Sequence, residues 1–306
     1  MSLRANLFLC LSAFLFLSGL ARAQDGFGGQ ATGGAGGRVV VAGNPEEFKT
    51  LAAAPEPLVI KVDGPLSVGM VPVSSDKTLI GSGPAATIQG NLMIGGGVQN
   101  VIVRNLTFTN PMSKKGKGGG DGITVRGAKN VVIDHCTFLD CGDGCLDVTE
   151  GADFVTVSWC KFSYTKQPKH RFVMLATGRE KKKHKNKVKI TLHHNWFAEN
   201  CDQRMPAARK ARVHMYNNYF SCSGNSYCTN IRADAELLSE SNYYEKVQNP
   251  CYSEDGGKIR TSKNIYQDCT GKIDNRNDEV FDPPYEWRVD RAAKVPEIVR
   301  AGAGAR

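Results

Sequence analysis

Beyond its first two dozen residues, this chain of 306 residues has no apolar run near the ~20 residues that a membrane-crossing helix needs. No CxxC or HxxxH spacing occurs, so nothing indicates a zinc site. Glycine is abundant, yet no glycine-rich stretch leads into a helical pattern, which excludes the phosphate loop of nucleotide enzymes. Acidic residues are the minority charge: 30 Asp and Glu face 39 Lys and Arg, a net charge of +9. Such a surface attracts polyanions, whether nucleic acid, anionic membrane or acidic polysaccharide.

The one long apolar run comes first. Arg4, the core "LFLCLSAFLFLSGL" and the small-residue "ARAQ" read as a signal peptide, residues 1–23, cleaved after Ala23. The mature protein is therefore expected to be secreted (extracellular or periplasmic), soluble and monomeric. Export favours an acidic polysaccharide as partner, with no nucleic acid and no membrane. Nine cysteines remain once Cys10 is removed; Cys222/Cys228 and Cys251/Cys269 are candidate disulfides, and the odd number leaves at least one thiol without an intrachain partner. Residues 24–38, with "QDGFGGQATGGAGG", read as a flexible lead-in, and "AGAGAR" closes the chain in the same style.

Between these ends a short strand recurs, each time ending in an aromatic: "VIVRNLTF", "VVIDHCTF", "VTVSWCKF", "KITLHHNWF", "VHMYNNYF", "LSESNYY" and "IRTSKNIY". The aromatics are Phe108, Phe138, Phe162, Phe197, Phe220, Tyr244 and Tyr266, at spacings of 30, 24, 35, 23, 24 and 22 residues. A period in the low twenties with β-branched alternation marks a solenoid whose coils stack into one core. The LxxLxL pattern of a leucine-rich horseshoe is missing, and a propeller blade needs about twice this length. The fold class that remains is all-β: a right-handed parallel β-helix over residues 39–302. Asn195, Asn218, Asn242 and Asn264 each stand two residues before an aromatic, where stacked amides can bond along the column; Cys136 and Cys160 take that place in earlier coils.

Offsets from the aromatic column also align charged residues. Asp121 lies 17 before Phe138, Asp143 and Asp147 lie 19 and 15 before Phe162, and Arg204 lies 16 before Phe220. Once the basic insertion "GREKKKHKNK" is discounted, Arg171 falls at a similar offset from Phe197. Asp143 and Asp147, four apart, are read as one face of one strand. Surface ion pairs are worth little, but three clustered carboxylates suit a hard cation held by oxygen, Ca²⁺ or Mg²⁺, and calcium is the expected cofactor. His135 falls away from this edge and reads as structural. His193 and His194, adjacent on a strand, are expected on opposite faces.

"DGITV", "NVVIDHCTF", "DGCLDVTEGADFVTVSWCKF", "VKITLHHNWF" and "QRMPAARKARVHMYNNYF" resemble successive signatures of the pectate lyase superfamily, polysaccharide lyase family 1, over about residues 45–302. The resemblance implies a calcium-assisted β-elimination of α-1,4-polygalacturonate that leaves a 4,5-unsaturated uronate. It implies Asp121, Asp143 and Asp147 as calcium ligands, Arg204 as base and Arg209 as the holder of a substrate carboxylate. Two departures stand out. A further acidic ligand of some members is Gly119 here, and a substrate lysine is Phe172, which leaves Lys169 or Arg171 to substitute. The alternatives are a pectin lyase on methyl-esterified polymer, a glycoside hydrolase with paired carboxylates, and a non-catalytic binder of acidic polysaccharide. The retained aspartates oppose the first, a hydrolase would give no unsaturated product, and Arg204 with the aspartates opposes the third while Gly119 and Phe172 favour it.

Overall fold

The computed structural model describes residues 25–111, 120–166, 169–178 and 188–306. The expected signal peptide, Gly119 and most of the basic insertion lie outside them.

Each coil contributes three strands. One coil runs Ile123–Arg126, Lys129–Asp134 and Thr137–Leu139; the next runs Leu146–Thr149, Asp153–Ser158 and Lys161–Ser163. Equivalent strands pair in parallel from coil to coil, as in Asp147 beside Thr124, Val155 beside Val131 and Phe162 beside Phe138. The middle strands build a ten-stranded row. The first and third strands build two rows that merge into one fifteen-stranded sheet through Thr87–Gly95. The fold is the expected parallel β-helix.

The sequence period fixes the corner between the middle and third rows. Asn105, His135, Trp159, His194, Asn217, Ser241 and Lys263 all take φ between 49° and 58°, one left-handed residue per coil. That residue turns the chain, and the next one points inward. There the amide ladder forms: Asn195 Nδ2 donates to Asn218 Oδ1 at 3.0 Å, Asn218 Nδ2 to Asn242 Oδ1 at 2.9 Å, and Asn242 Nδ2 to Asn264 Oδ1 at 3.1 Å. Cys160 N–H donates to Asn195 Oδ1, so the cysteines continue the same column. Two residues on, the aromatics stack from Phe108 to Tyr266 with ring centres 4.3–5.3 Å apart and planes within 19°. The rings repeat because the coils do, and offset stacking rewards that repetition.

The left-handed corner also corrects one expectation. His194 leaves the strand alternation, so His193 and His194 touch through their Nδ1 atoms at 3.0 Å instead of facing apart. His135 is structural as expected: its Nδ1 lies 2.9 Å from Asp134, and its ring stacks on Trp159.

The glycine-rich lead-in is not a loose tether. Residues 26–34 lie against the outer face of the ten-stranded row, where Phe27, Gly28 and Gly34 donate backbone N–H groups to Thr191, Thr156 and Thr78 hydroxyls at 2.8–3.0 Å. A Cβ at Gly34 would sit 1.9 Å from the Leu58 carbonyl oxygen, so glycine here serves close approach. The closing "AGAGAR" is docked too, with Ala305 N–H on the Thr137 hydroxyl and Arg306 N–H on Asn105. None of the nine described cysteines is bridged; Cys222, Cys228 and Cys251 are buried thiols, and Cys269 is half-buried. They fill the core as small apolar groups, and the two candidate disulfides are not present.

Candidate active site

The outer face of the first-strand row carries the site. Its strands Ile123–Arg126, Leu146–Thr149, Leu175–Thr177, Ala207–Arg209 and Thr229–Arg232 place Thr124, Asp147, Leu175, Ala207 and Asn230 in one outward column. The next column runs Arg126, Thr149, Thr177, Arg209 and Arg232, through Val148 paired with Ala176. Long turns enter each strand from the third row and bring the remaining charged groups to the strand starts.

Asp121 ends one such turn. Asn91 and Asn110 amides fix its backbone carbonyl at 3.1 and 2.9 Å, and the Thr124 hydroxyl donates to its Oδ2 at 2.7 Å. Asp147 sits on the neighbouring strand, its Oδ1 accepting Leu175 N–H at 3.0 Å. Asp143 is not on that strand, contrary to the strand-face reading; it lies exposed on the preceding turn, close enough for its charge to act on both other carboxyls. Gly144 separates the pair. A Cβ there would lie 3.0 Å from Asp121 Oδ1 and 3.4 Å from Asp147 Oδ1, so the missing side chain leaves the two carboxylates facing one gap.

Their electrostatics agree with the geometry. Burial, reinforced by the Asp143 charge and resisted by the Thr124 hydrogen bond, pushes Asp121 up to about 6. Burial and the Asp121 charge push Asp147 up to about 7, against Leu175 N–H and Arg204. Carboxyls that repel one another in a partly desolvated gap take up either protons or a cation. Oxygen donors of this kind suit a hard divalent ion. Among the described residues no three His, Cys, Asp or Glu side chains close into a full metal cage. The chain thus supplies an open half-site, which fits a cation whose other ligands come from solvent or a bound anion.

The arginines behave differently from one another. Arg204 has φ 63°, a conformation that non-glycine residues avoid. Its guanidinium lies 4.1 Å over the Phe172 ring, and its charge acts on the Tyr227 hydroxyl and the Asp147 carboxyl. Arg209 stands in the second outward column, with a buried Nε that has no protein partner. Arg171 is drawn toward Asp202, 3.5 Å from its Nη2, and its Nε is likewise unpartnered. Lys169 is exposed. The structure therefore gathers Asp121, Asp143, Asp147 and Arg204, sets Arg209 beside them, and ties Arg171 to another carboxylate. Thr124, Gly144 and Tyr227 escaped the sequence reading; only the Asp-x-x-Thr spacing of Asp121 and Thr124 carried a local signal.

A family model described as pectate lyase matches residues 5–278. This chain belongs to the pectate lyase family. It is 30% identical to a pectate trisaccharide-lyase of Bacillus licheniformis over 299 residues, covering 90% of this chain and 83% of that one. A pectate trisaccharide-lyase of Thermotoga maritima is 36% identical over 198 residues, covering 62% of this chain. The match spans 52% of that relative, about half its length. Among solved structures, pectate lyase Bsp165PelA from Bacillus sp. N165, in complex with trigalacturonate, aligns with a TM-score of 0.76 at 26% identity, covering 92% of this chain and 98% of that one. The thermostable pectate lyase PL 47 aligns with a TM-score of 0.77 at 22% identity, a likeness of fold.

Proposed function

We propose that this pectate lyase family member is an exported, calcium-dependent enzyme that cleaves α-1,4-polygalacturonate by β-elimination and leaves 4,5-unsaturated oligogalacturonates. The observation that carries the reading is the gap between Asp121 and Asp147, made by Gly144 and edged by Arg204. Asp121 and Asp147, with Asp143 beside them, are the residues that would hold calcium. Calcium bound there would neutralise a uronate carboxylate and so acidify the proton on the adjoining C5.

The chain's own residues supply the rest. Arg209, its Nε unpartnered, offers a guanidinium fork to a second uronate carboxylate. Leu175 and Ala207, between Asp147 and Asn230, keep the outward column low so that a sugar chain can lie along it. Arg204 takes the C5 proton; the C4–oxygen bond then breaks as the C4–C5 double bond forms, and the departing oxygen is protonated by water. A guanidinium is ordinarily permanently charged. For Arg204 to accept the proton, nearby positive charge, with calcium in the gap, would have to disfavour its charged form. The trigalacturonate complex of the Bacillus sp. N165 relative supports an oligogalacturonate as the ligand class.

The test is the absorbance of the conjugated product during incubation with polygalacturonate, with and without EDTA. Product formation that stops in chelator and returns with calcium is the expected result. Full activity in excess chelator, or activity only on methyl-esterified pectin, would overturn the reading in favour of a pectin lyase. No unsaturated product under any condition would leave a non-catalytic binder.

A further inference from the structure

We propose that Phe172 is a positioning residue for Arg204: its ring forms the platform that aims the guanidinium at the carboxylate gap. This rests on the assignment of Arg204 as the base, and it concerns a position where the resembling family has a lysine that touches substrate.

Arginine has four side-chain torsions and no intrinsic direction, so its aim must come from neighbours. The backbone supplies part of it. Gln203 bridges to Phe172 in the sheet, Met174 N–H donates to the Arg204 carbonyl at 2.7 Å, and Arg204 itself turns through φ 63°. These contacts set residue 172 of one coil beside residue 203 of the next, with Arg204 one position further on. The guanidinium carbon then lies 4.1 Å from the Phe172 ring centre, within the range of a face-on cation–π contact. The Arg204 charge also acts on the nearby Tyr227 hydroxyl, opposing the upward push of burial. The same charge reaches the Asp147 carboxyl, so the ring-backed guanidinium acts on the carboxylate gap.

Phe172 is itself held in place. The Tyr164 hydroxyl donates to its carbonyl at 2.8 Å, and His170 packs on its ring at 5.0 Å. Tyr164 is fully buried and the Phe172 ring is half-buried, so the platform is anchored at its backbone while its face stays toward Arg204. A lysine at 172 would place a second cation against Arg204. The phenyl ring instead attracts the guanidinium while presenting no donor to a sugar carboxylate. The chain has exchanged a direct grip on substrate for a better-aimed base.

Two measurements test this. Phe172→Leu keeps an apolar side chain but removes the ring face; kcat on polygalacturonate with calcium should fall ~10-fold with KM little changed, the loss expected when a transition-state contact is misaimed. Phe172→Tyr and Phe172→Trp should recover most of the rate. Separately, in the substrate-free protein, the Nε–H proton of Arg204, assigned by its disappearance in Arg204→Lys, should be shifted upfield by the ring in the native chain and in Phe172→Trp, and should relax in Phe172→Leu. An Arg204 signal unmoved by Phe172→Leu overturns the proposal, as does a variant whose KM rises with kcat intact, which would make Phe172 a sugar-binding residue. Failure of the native chain to form unsaturated product would refute the lyase reading, and the magnetic-resonance comparison would still decide whether Phe172 aims Arg204.

Discussion

The middle-strand row and the first-strand row come from the same coils, yet their outer faces have opposite fates. The middle row is covered. Residues 26–34 cross it, and the C-terminal segment from Phe281 to Asp290 closes over the rest, with Phe27 against Phe281 and Tyr285 at ring distances of 5.9 and 5.2 Å. Polar groups beneath are paired: His214 with Tyr285 and Glu240, His194 with Asp290, and the Trp287 indole with Glu240. The Tyr216 hydroxyl is an exception, while Arg212 Nε faces Glu236 at 3.6 Å. On the first row the exception becomes the pattern. Arg171, Thr177, Arg209 and Arg232 all carry buried atoms without protein partners, and Asp121 and Asp147 are raised toward neutrality. One face pairs most of its polar groups within the fold, and the other leaves several buried polar atoms unpaired.

If that contrast holds, substitutions on the open row should cost catalysis and leave the fold alone. The largest effect is expected at Arg204. Arg204→Lys shortens the side chain and moves the basic nitrogen, so kcat should drop ~10²–10⁴-fold, the range for removing a general base. Thermal unfolding should be unchanged. Arg209→Lys keeps the charge but loses the two-pronged geometry, so its cost should appear mainly in KM. Steady-state kinetics on polygalacturonate separates the two, and near-native turnover of Arg204→Lys with only KM raised would transfer the base role elsewhere on this edge.

The amide ladder underlies both faces, and breaking it should cost stability first. Asn218 holds Asn195 N–H, Asn195 Nδ2 and the Leu192 carbonyl. Asn218→Leu strands all three in the core, a loss on the order of 3 kcal/mol. Denaturant unfolding measures it, with residual activity per folded molecule expected to stay near native. Lost catalysis with intact stability would instead mean that the ladder reaches the site.

These two cases also show what a sequence can carry. The aromatic period and the asparagines two residues before it report a contact that recurs in every coil, so the fold was written many times over. Asp121, Asp147 and Arg204 were legible for the same reason: they occur once, but the column supplies their coordinates. Asp143 was misread because four-residue spacing implies one face only on a continuous strand, and the chain turns between Cys141 and Cys145. The lead-in was misread because its partners, Thr78, Thr156 and Thr191, lie 44, 128 and 164 residues away, and nothing local distinguishes a docking glycine from a flexible one. The C-terminal strap over His214 escaped notice on the same grounds.

The covered face should respond to acid. His193, His194 and His214 are all held below the ordinary histidine range, in each case chiefly by burial, with Asp290 and Glu240 opposing at the latter two. They are neutral when folded, whereas the unfolded chain protonates them below about 6.5. The unfolded state therefore gains protons as pH falls through that value, and stability declines by up to about 1.4 kcal/mol per pH unit for each histidine until its folded pKa is reached. Unfolding midpoints from neutral to about pH 5 should fall with that onset. Asp121 and Asp147, raised to about 6 and about 7, take up protons in the folded state over the same range and oppose the decline. The clean measurement is therefore in Asp121→Asn/Asp147→Asn, where a flat profile would show that the face opens or rearranges around charged imidazoles.

The smallest effect is expected at the rim of the cover. Phe27 is buried and joins the lead-in to the strap through Phe281 and Tyr285, while its N–H binds the Thr191 hydroxyl. Phe27→Ala removes the ring contacts but leaves the backbone bonds of Gly28 and Gly34 in place. The segment can then relax without opening the helical core, so the loss should be about 1 kcal/mol, the scale of an aromatic pair, instead of that of a central phenylalanine. Amide hydrogen exchange should rise in residues 26–34 and beneath them at Thr156 and Thr191. The kcat of the open row should stay unchanged, because the two faces share coils but no side-chain contact is routed between them through Phe27. A drop in kcat that tracks the exchange would mean that the cover tunes the site through the coils, and the division of labour between the faces would have to be abandoned.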